Sequence, residues 1–141
     1  MGGNFTQMNV RDNMRTAINN TAANVSYRQR MPNLPYMFAD TDASFYWAGL
    51  GRKDNTLTLT YDNQYTHSFC YYASNLGSNS NDYMVPDQFA HNLAISYGIM
   101  GGRYNISFEC RNLTNASLYD NFSLQKAGRA FYGKVRVYFG N

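Results

Sequence analysis

Along most of its length the chain alternates apolar and polar side chains with a period of two. Such alternation sorts side chains onto opposite faces of an extended strand, whereas a helix would scatter the same residues around its circumference. The pattern is clearest over 128–140. There Arg129, Phe131, Gly133, Val135, Val137 and Phe139 share one face, and Ala130, Tyr132, Lys134, Arg136 and Tyr138 the other. Over 104–113, Tyr104, Ile106, Phe108 and Cys110 oppose Asn105, Ser107, Glu109 and Arg111. Over 88–100, Phe89, Leu93, Ile95, Tyr97 and Ile99 oppose Ala90, Asn92, Ala94, Ser96 and Gly98. Over 56–70, Leu57, Leu59, Tyr61, Tyr65 and Phe69 oppose a row of Thr, Asp, Gln and Ser. Over 36–48, Met37, Ala39, Ala43, Phe45 and Trp47 oppose Tyr36, Asp40, Asp42 and Ser44. The stretch 3–11 follows the rule least well, with Met8 and Val10 against Phe5, Gln7, Asn9 and Arg11. The expectation is an all-β chain, an antiparallel meander of six long strands.

The connections alternate in length. Long ones at about 12–35, 70–87 and 113–127 are polar and rich in Asn, Ser and Tyr, and short ones at 49–55 and 101–103 carry Gly. A short helical turn after Asp12, with Met14, Ala17 and Ile18, is the only helical pattern.

A length of 141 residues suits one domain. Composition narrows the class. Charged residues make up 15%, below the ~25% of soluble domains, while 16% are aromatic. Disordered chains carry the opposite bias. The longest uncharged run, 88–102, contains Gln, His, Asn and Ser and falls short of the ~20 apolar residues of a membrane helix. Residues 1–15 lack the apolar core of a signal peptide. Cys70 and Cys110 are too few for a disulfide framework. The net charge of +3 is spread over twelve cations and nine acids, so no nucleic-acid surface is expected.

Two architectures compete. A soluble β-sandwich, as a binding or adhesion module, buries its apolar face between two sheets. A membrane barrel turns that face to lipid and lines its lumen with the polar one. Three features favour the barrel: strand lengths above the ~5–6 residues usual in soluble sheets, polar faces of Thr, Ser, Asn and Gly, and the alternating connection lengths. In that setting the long connections are extracellular and the short ones periplasmic. Six strands are fewer than the smallest barrels contain, so the sheet is expected to be part of a larger one.

The stretch Gly102-Arg103-Tyr104-Asn105-Ile106-Ser107-Phe108-Glu109-Cys110-Arg111-Asn112-Leu113-Thr114-Asn115 resembles the penultimate strand of TonB-dependent outer-membrane receptors, with its closing Asn-Leu-x-Asp/Asn. Residues 118–139 resemble the family's last loop and closing strand, and Arg30-Met31-Pro32-Asn33-Leu34-Pro35-Tyr36 an extracellular loop entering a strand. The likeness spans the chain, is densest over 102–139 and thins before 12. It implies that 1–141 is a single segment, the C-terminal strands of a barrel of roughly 22. The plug domain and the other strands would then lie outside this segment. It further implies active uptake of a nutrient such as a siderophore, glycan or peptide. The implied partners are the lipid of a Gram-negative cell outer membrane, the rest of the barrel with its plug, and the TonB complex, reached through that outside N-terminal part. The family's insertion signal fits Gly133, Val135, Val137 and Phe139, although Gly140 and Asn141 follow the aromatic.

No enzyme, cofactor, catalytic or metal site is expected. His67 and Cys70 stand three apart and so point to opposite faces of a straight strand. His91 and Cys110 fall on the apolar faces of neighbouring strands, where a dyad would meet lipid. Asp40 and Asp42 share a polar face, as lumen-lining acids would. Seven Asn-x-Ser/Thr triplets follow from eighteen Asn in the chain. Tyr27, Arg28, Arg30, Tyr71, Tyr72 and Tyr83 lie in the long connections, where aromatics with Arg suit recognition of a polar ligand. Interfacial tyrosines that anchor a barrel are the competing explanation. In the closing strand Phe131, Val135, Val137 and Phe139 are assigned to lipid, and Lys134 and Arg136 to the lumen.

Overall fold

A computed structural model describes residues 1–16, 22–71, 83–121 and 124–139. Six strands build one antiparallel sheet: β1 (Gly2–Gln7), β2 (Met37–Ala48), β3 (Thr56–Thr66), β6 (Gln88–Ile99), β7 (Tyr104–Arg111) and β10 (Ala130–Val137). Each pairs with the next in that order. Two small hairpins, β4 (Phe69–Cys70) with β5 (Met84–Val85) and β8 (Tyr119–Asn121) with β9 (Leu124–Gln125), rise from the second and third long connections.

Register carries the alternation across the sheet. Phe45 lies opposite Leu59, Leu59 opposite Ile95, Ile95 opposite Phe108 and Phe108 opposite Gly133. One pleat away Tyr46, Thr58, Ser96, Ser107 and Lys134 form the matching row of the other face. The apolar rows are uncovered: Phe45, Trp47, Phe89, Ile95, Ile106, Phe108 and Phe131 are all exposed, and Val135 is 70% exposed. No second sheet packs on them among the described residues, which form one meander and not the two packed sheets of the sandwich alternative. Only Phe69, Val85, Cys110 and Leu118 are buried apolar residues among those described. The accessible surface is 10012 Å2 for 16.1 kDa, whereas a compact monomer of that mass exposes about 7,400 Å2. Each Phe or Val left uncovered forgoes about 1.5–3 kcal/mol of burial.

The tight turns brace one another. Gly49 and Gly51 take positive φ (78° and 80°) between β2 and β3, and Met100, Gly101 and Gly102 do so between β6 and β7. Asn55, at the foot of β3, is 6% exposed. Its Nδ2 donates to Tyr97 Oη at 2.8 Å and its Oδ1 accepts from Met100 N–H at 3.3 Å.

Four expectations need correction. β1 stops at Gln7 instead of running to 11, and its Phe5 faces Ala39 on the apolar side, reversing the predicted parity. A lone apolar residue among Gly, Asn and Thr was too weak a signal beside Met8 and Val10, which lie beyond the strand. The strand expected over 56–70 breaks after Thr66. There the Asp87 carboxylate takes the Ser68 N–H at 2.6 Å, and the chain turns to pair with Met84–Val85 before Pro86. The closing strand is Ala130–Val137, shorter than 128–140, although Tyr138 N–H still reaches Arg103 O at 2.9 Å. Asp12–Thr16 form no helical turn: Asp12 Oδ1 accepts from Met14 N–H at 2.8 Å, and Thr16 bridges Ala23. Ala17 and Ile18 lie outside the described residues.

Candidate functional site

On the polar face, strands β3, β6, β7 and β10 enclose a hollow of about 530 Å3 below the last long loop. Its floor includes Asp62, Gln64, Asn92, Glu109, Arg111 and Tyr132. Three contacts join these groups. Asn92 Nδ2 donates to Asp62, Arg111 pairs with Glu109, and the Arg111 guanidinium lies 5.1 Å from the centre of the Tyr132 ring. Asp42 stands opposite Asp62 and Asp40 opposite Gln64, which places all three acids on this face. Lys134 and Arg136 line a second hollow with Ser96, Asn105, Ser107 and Tyr138. Phe131, Val135 and Val137 occupy the other face, and Phe139, just past the strand, is 91% exposed.

The resembling motif Asn112–Asn115 forms the hollow's rim, and its chemistry is local. Asn112 and Asn115 both take positive φ (50° and 55°), a conformation Asn tolerates better than most side chains. Asn112 is 3% exposed; its Oδ1 accepts from Ala116 N–H and its Nδ2 donates to Ala116 O, while Asn92 Oδ1 takes its backbone N–H. Asn115 Oδ1 accepts from Arg129 N–H at 2.9 Å, which ties the start of the loop to its end. Lys126 Nζ pairs with Asp120 at 2.7 Å above them, and Tyr119 N–H donates to Gln88 Oε1.

The expected ligand contacts divide into three places. Tyr27 and Arg28 form one cluster with Arg15, whose Nε donates to the Tyr27 hydroxyl at 3.3 Å. That bond first, and the neighbouring Arg28 second, hold the Tyr27 phenol below its ordinary range. Arg30 lies elsewhere, stacked on Tyr36 with its guanidinium 4.2 Å from the ring centre, and Tyr36 meets His67 edge-on at 4.6 Å. Tyr71 and Tyr83 face each other at the mouth of the β4–β5 hairpin, joined by Tyr71 N–H to Tyr83 O at 2.9 Å. Tyr72 lies outside the described residues.

The break at His67–Ser68 brings His67 and Cys70 to one cavity, a convergence that a straight strand forbids. This cavity, about 560 Å3, lies between the first two long loops and is also lined by Arg11, Arg30, Tyr36 and Met84. Asn33 N–H donates to Cys70 O at 2.8 Å and joins the two loops. Arg11 and Tyr36 escaped the sequence reasoning. The pairing of Val10 with Met31, which folds the loop back on itself, leaves no local sequence signal. No three His, Cys, Asp or Glu side chains gather as a metal set among the described residues. Tyr65 Oη and Asp87 Oδ1 approach the same His67 nitrogen, Nδ1, at 2.8 and 3.0 Å. A proton relay needs the two opposite ring nitrogens, so this trio is a structural knot and not a triad. His91 Nδ1 bonds the Tyr61 hydroxyl at 2.7 Å.

Comparison with family models, with curated proteins and with solved structures found no match.

Proposed function

We propose that this chain forms part of the wall of a transmembrane β-barrel of the TonB-dependent receptor type, one that takes up a nutrient across the outer membrane of a Gram-negative cell. One observation carries the proposal: a six-stranded sheet whose apolar face is uncovered from edge to edge while its polar face is hollowed and lined by polar and charged side chains. Water on the apolar side and protein on the polar side would reverse the usual economy of a sheet. Lipid on the first and a wet lumen on the second suit both.

The edges support the same view. Among the described residues β1 pairs only with β2, and β10 only with β7, so each leaves a row of backbone N–H and C=O groups to be matched by further strands. The long loops at one end, the braced tight turns at the other, and the resemblance of 102–139 to closing receptor strands agree with a barrel wall in which loops meet ligand outside the cell. Outer-membrane lipid, further barrel strands, a plug and the TonB complex are the partners this assigns.

Dilution of the denatured chain into buffer, with and without neutral-detergent micelles, tests the proposal. Micelles cover the apolar face and should keep the chain dispersed and β-structured, whereas buffer alone should yield aggregates, because the apolar face and both edges then meet one another. A monodisperse, β-structured monomer in plain buffer would refute a membrane wall.

A further inference from the structure

The first long loop holds all of the chain's excess positive charge. Residues 8–36 carry Arg11, Arg15, Arg28 and Arg30 against the single acid Asp12, a net +3 equal to that of the whole chain. The rest of the sequence is therefore neutral.

Within the loop, Arg11 and Arg30 face each other across an antiparallel bridge. Asp12 N–H donates to Gln29 O at 3.0 Å and Met31 N–H to Val10 O at 3.1 Å. Those bonds flank the pair and so make it the non-hydrogen-bonded kind. In this kind Cα atoms approach to about 4.5 Å, and the side chains leave on the same side. Like charges so placed repel. Among the described residues no Asp or Glu forms a salt bridge with any of the four arginines. The two carboxylates of the neighbouring chain are committed: Asp12 to Met14 N–H and Asn24 Nδ2, Asp87 to Ser68 N–H and His67.

Both arginines line the cavity between the two loops. They are held in place without being neutralised. Arg11 Nε donates to Asn9 Oδ1 and Nη1 to Arg28 O, both at 3.0 Å. Arg30 lies over the Tyr36 ring, its guanidinium carbon 4.2 Å from the ring centre, and Tyr36 meets His67 edge-on. A guanidinium held over a ring by cation–π attraction still has N–H donors to offer, and guanidinium forks match the oxygens of a carboxylate or phosphate.

We infer that this cavity binds an oxyanion, a carboxylate or phosphate group of the captured ligand, between the guanidiniums of Arg11 and Arg30. The assignment rests on the receptor proposal for its physiological meaning, and it selects acidic ligands from among siderophores, glycans and peptides. Lipid phosphates at the outer surface offer the same chemistry, so the test separates the two sources.

The full chain, folded in neutral-detergent micelles at low salt, is titrated calorimetrically with citrate, inorganic phosphate and, as a neutral control, maltose. Citrate or phosphate should bind saturably, maltose should not, and the Arg11→Gln/Arg30→Gln variant should lose about tenfold or more in affinity. Arg52→Gln, in the opposite tight turn, should bind as the parent does. Circular dichroism on each sample reports whether the β structure is intact. A folded parent that ignores both anions, or a folded double variant that binds them as well as the parent, overturns the inference and leaves the barrel wall standing. Binding confined to vesicles of phosphatidate in phosphatidylcholine, absent with the soluble anions, also overturns it, because the site would then hold membrane lipid. A chain that needs no detergent to fold as a monomer overturns the receptor proposal instead.

Discussion

Val135 lies directly opposite Ile106, and both side chains stand exposed on the apolar face of the sheet. Their sequence neighbours Lys134 and Ser107 are paired on the other face, beside Arg136 and Asn105. A slip of one residue would exchange every one of these positions. In a barrel wall Val135→Arg should therefore cost about 2–4 kcal/mol of insertion free energy, while Lys134→Ala should be nearly silent. Denaturant titration of each variant in lipid vesicles measures both. Equal tolerance of the two changes would remove the facial assignment.

A second expectation concerns the braced turns. Asn55 is buried, and its amide serves both Tyr97 Oη and Met100 N–H, while the Tyr97 hydroxyl donates onward to Leu50 O at 2.8 Å. Asn55→Ala removes both the acceptor of the Met100 N–H and the donor to Tyr97 Oη and should cost about 1–2 kcal/mol. Tyr97→Phe, which removes the onward bond to Leu50 and the acceptor for Asn55, should cost about as much again as one ordinary hydrogen bond, ~1 kcal/mol. Unfolding midpoints of the two variants and of the double variant check this, and the double should cost less than their sum because the groups share bonds.

Acid should loosen the first long loop. The Met14 N–H, and after it the Asn24 amide, hold the Asp12 carboxyl below the usual carboxylate range. A depressed folded-state value means that the carboxylate's contribution is complete above the unfolded value of about 3.9 and is lost as pH falls through the lower folded one. Amide exchange at Met14 and Ser26 should thus accelerate in that acidic window, beyond the intrinsic pH trend, and Asp12→Ala should abolish the extra acceleration. Protection that is flat in pH would contradict the bond's role.

Gly128 should resist substitution. A Cβ there would stand 2.9 Å from Asn115 Oδ1, the atom that accepts the Arg129 N–H. Gly128→Ala should displace that amide and loosen the rim of the hollow, seen as faster exchange of the Arg129 amide, while Gly133→Ala, which meets nothing within 4 Å, should leave it unchanged.

The sheet was legible in the sequence because its signal is local and repeated: Leu57, Leu59, Ile95, Phe108 and Val135 each announce their face by their neighbours. Boundaries failed where side chains replace the ladder, as Asp87 does at Ser68. Phe5 failed because register with Ala39, not its own neighbours, sets its face. The loop cavity was the least legible part. Arg11 and Arg30 are 19 positions apart and meet only because the loop pairs with itself, and His67 turns toward Cys70 only because the strand breaks between them.

Trp47 offers the most direct measurement. It is the chain's single tryptophan, it lies opposite Leu57 on the apolar face, it stacks with Phe45 at 6.1 Å, and it is 46% exposed. Its fluorescence in vesicles of brominated phosphatidylcholine reports contact with acyl chains without any label. A membrane wall gives blue-shifted emission that lipid bromines quench strongly and aqueous iodide quenches weakly, most of all with bromines near the headgroups, since Trp47 is one residue from the end of β2. Emission that iodide quenches freely and brominated lipid leaves untouched would contradict the placement of this face in lipid.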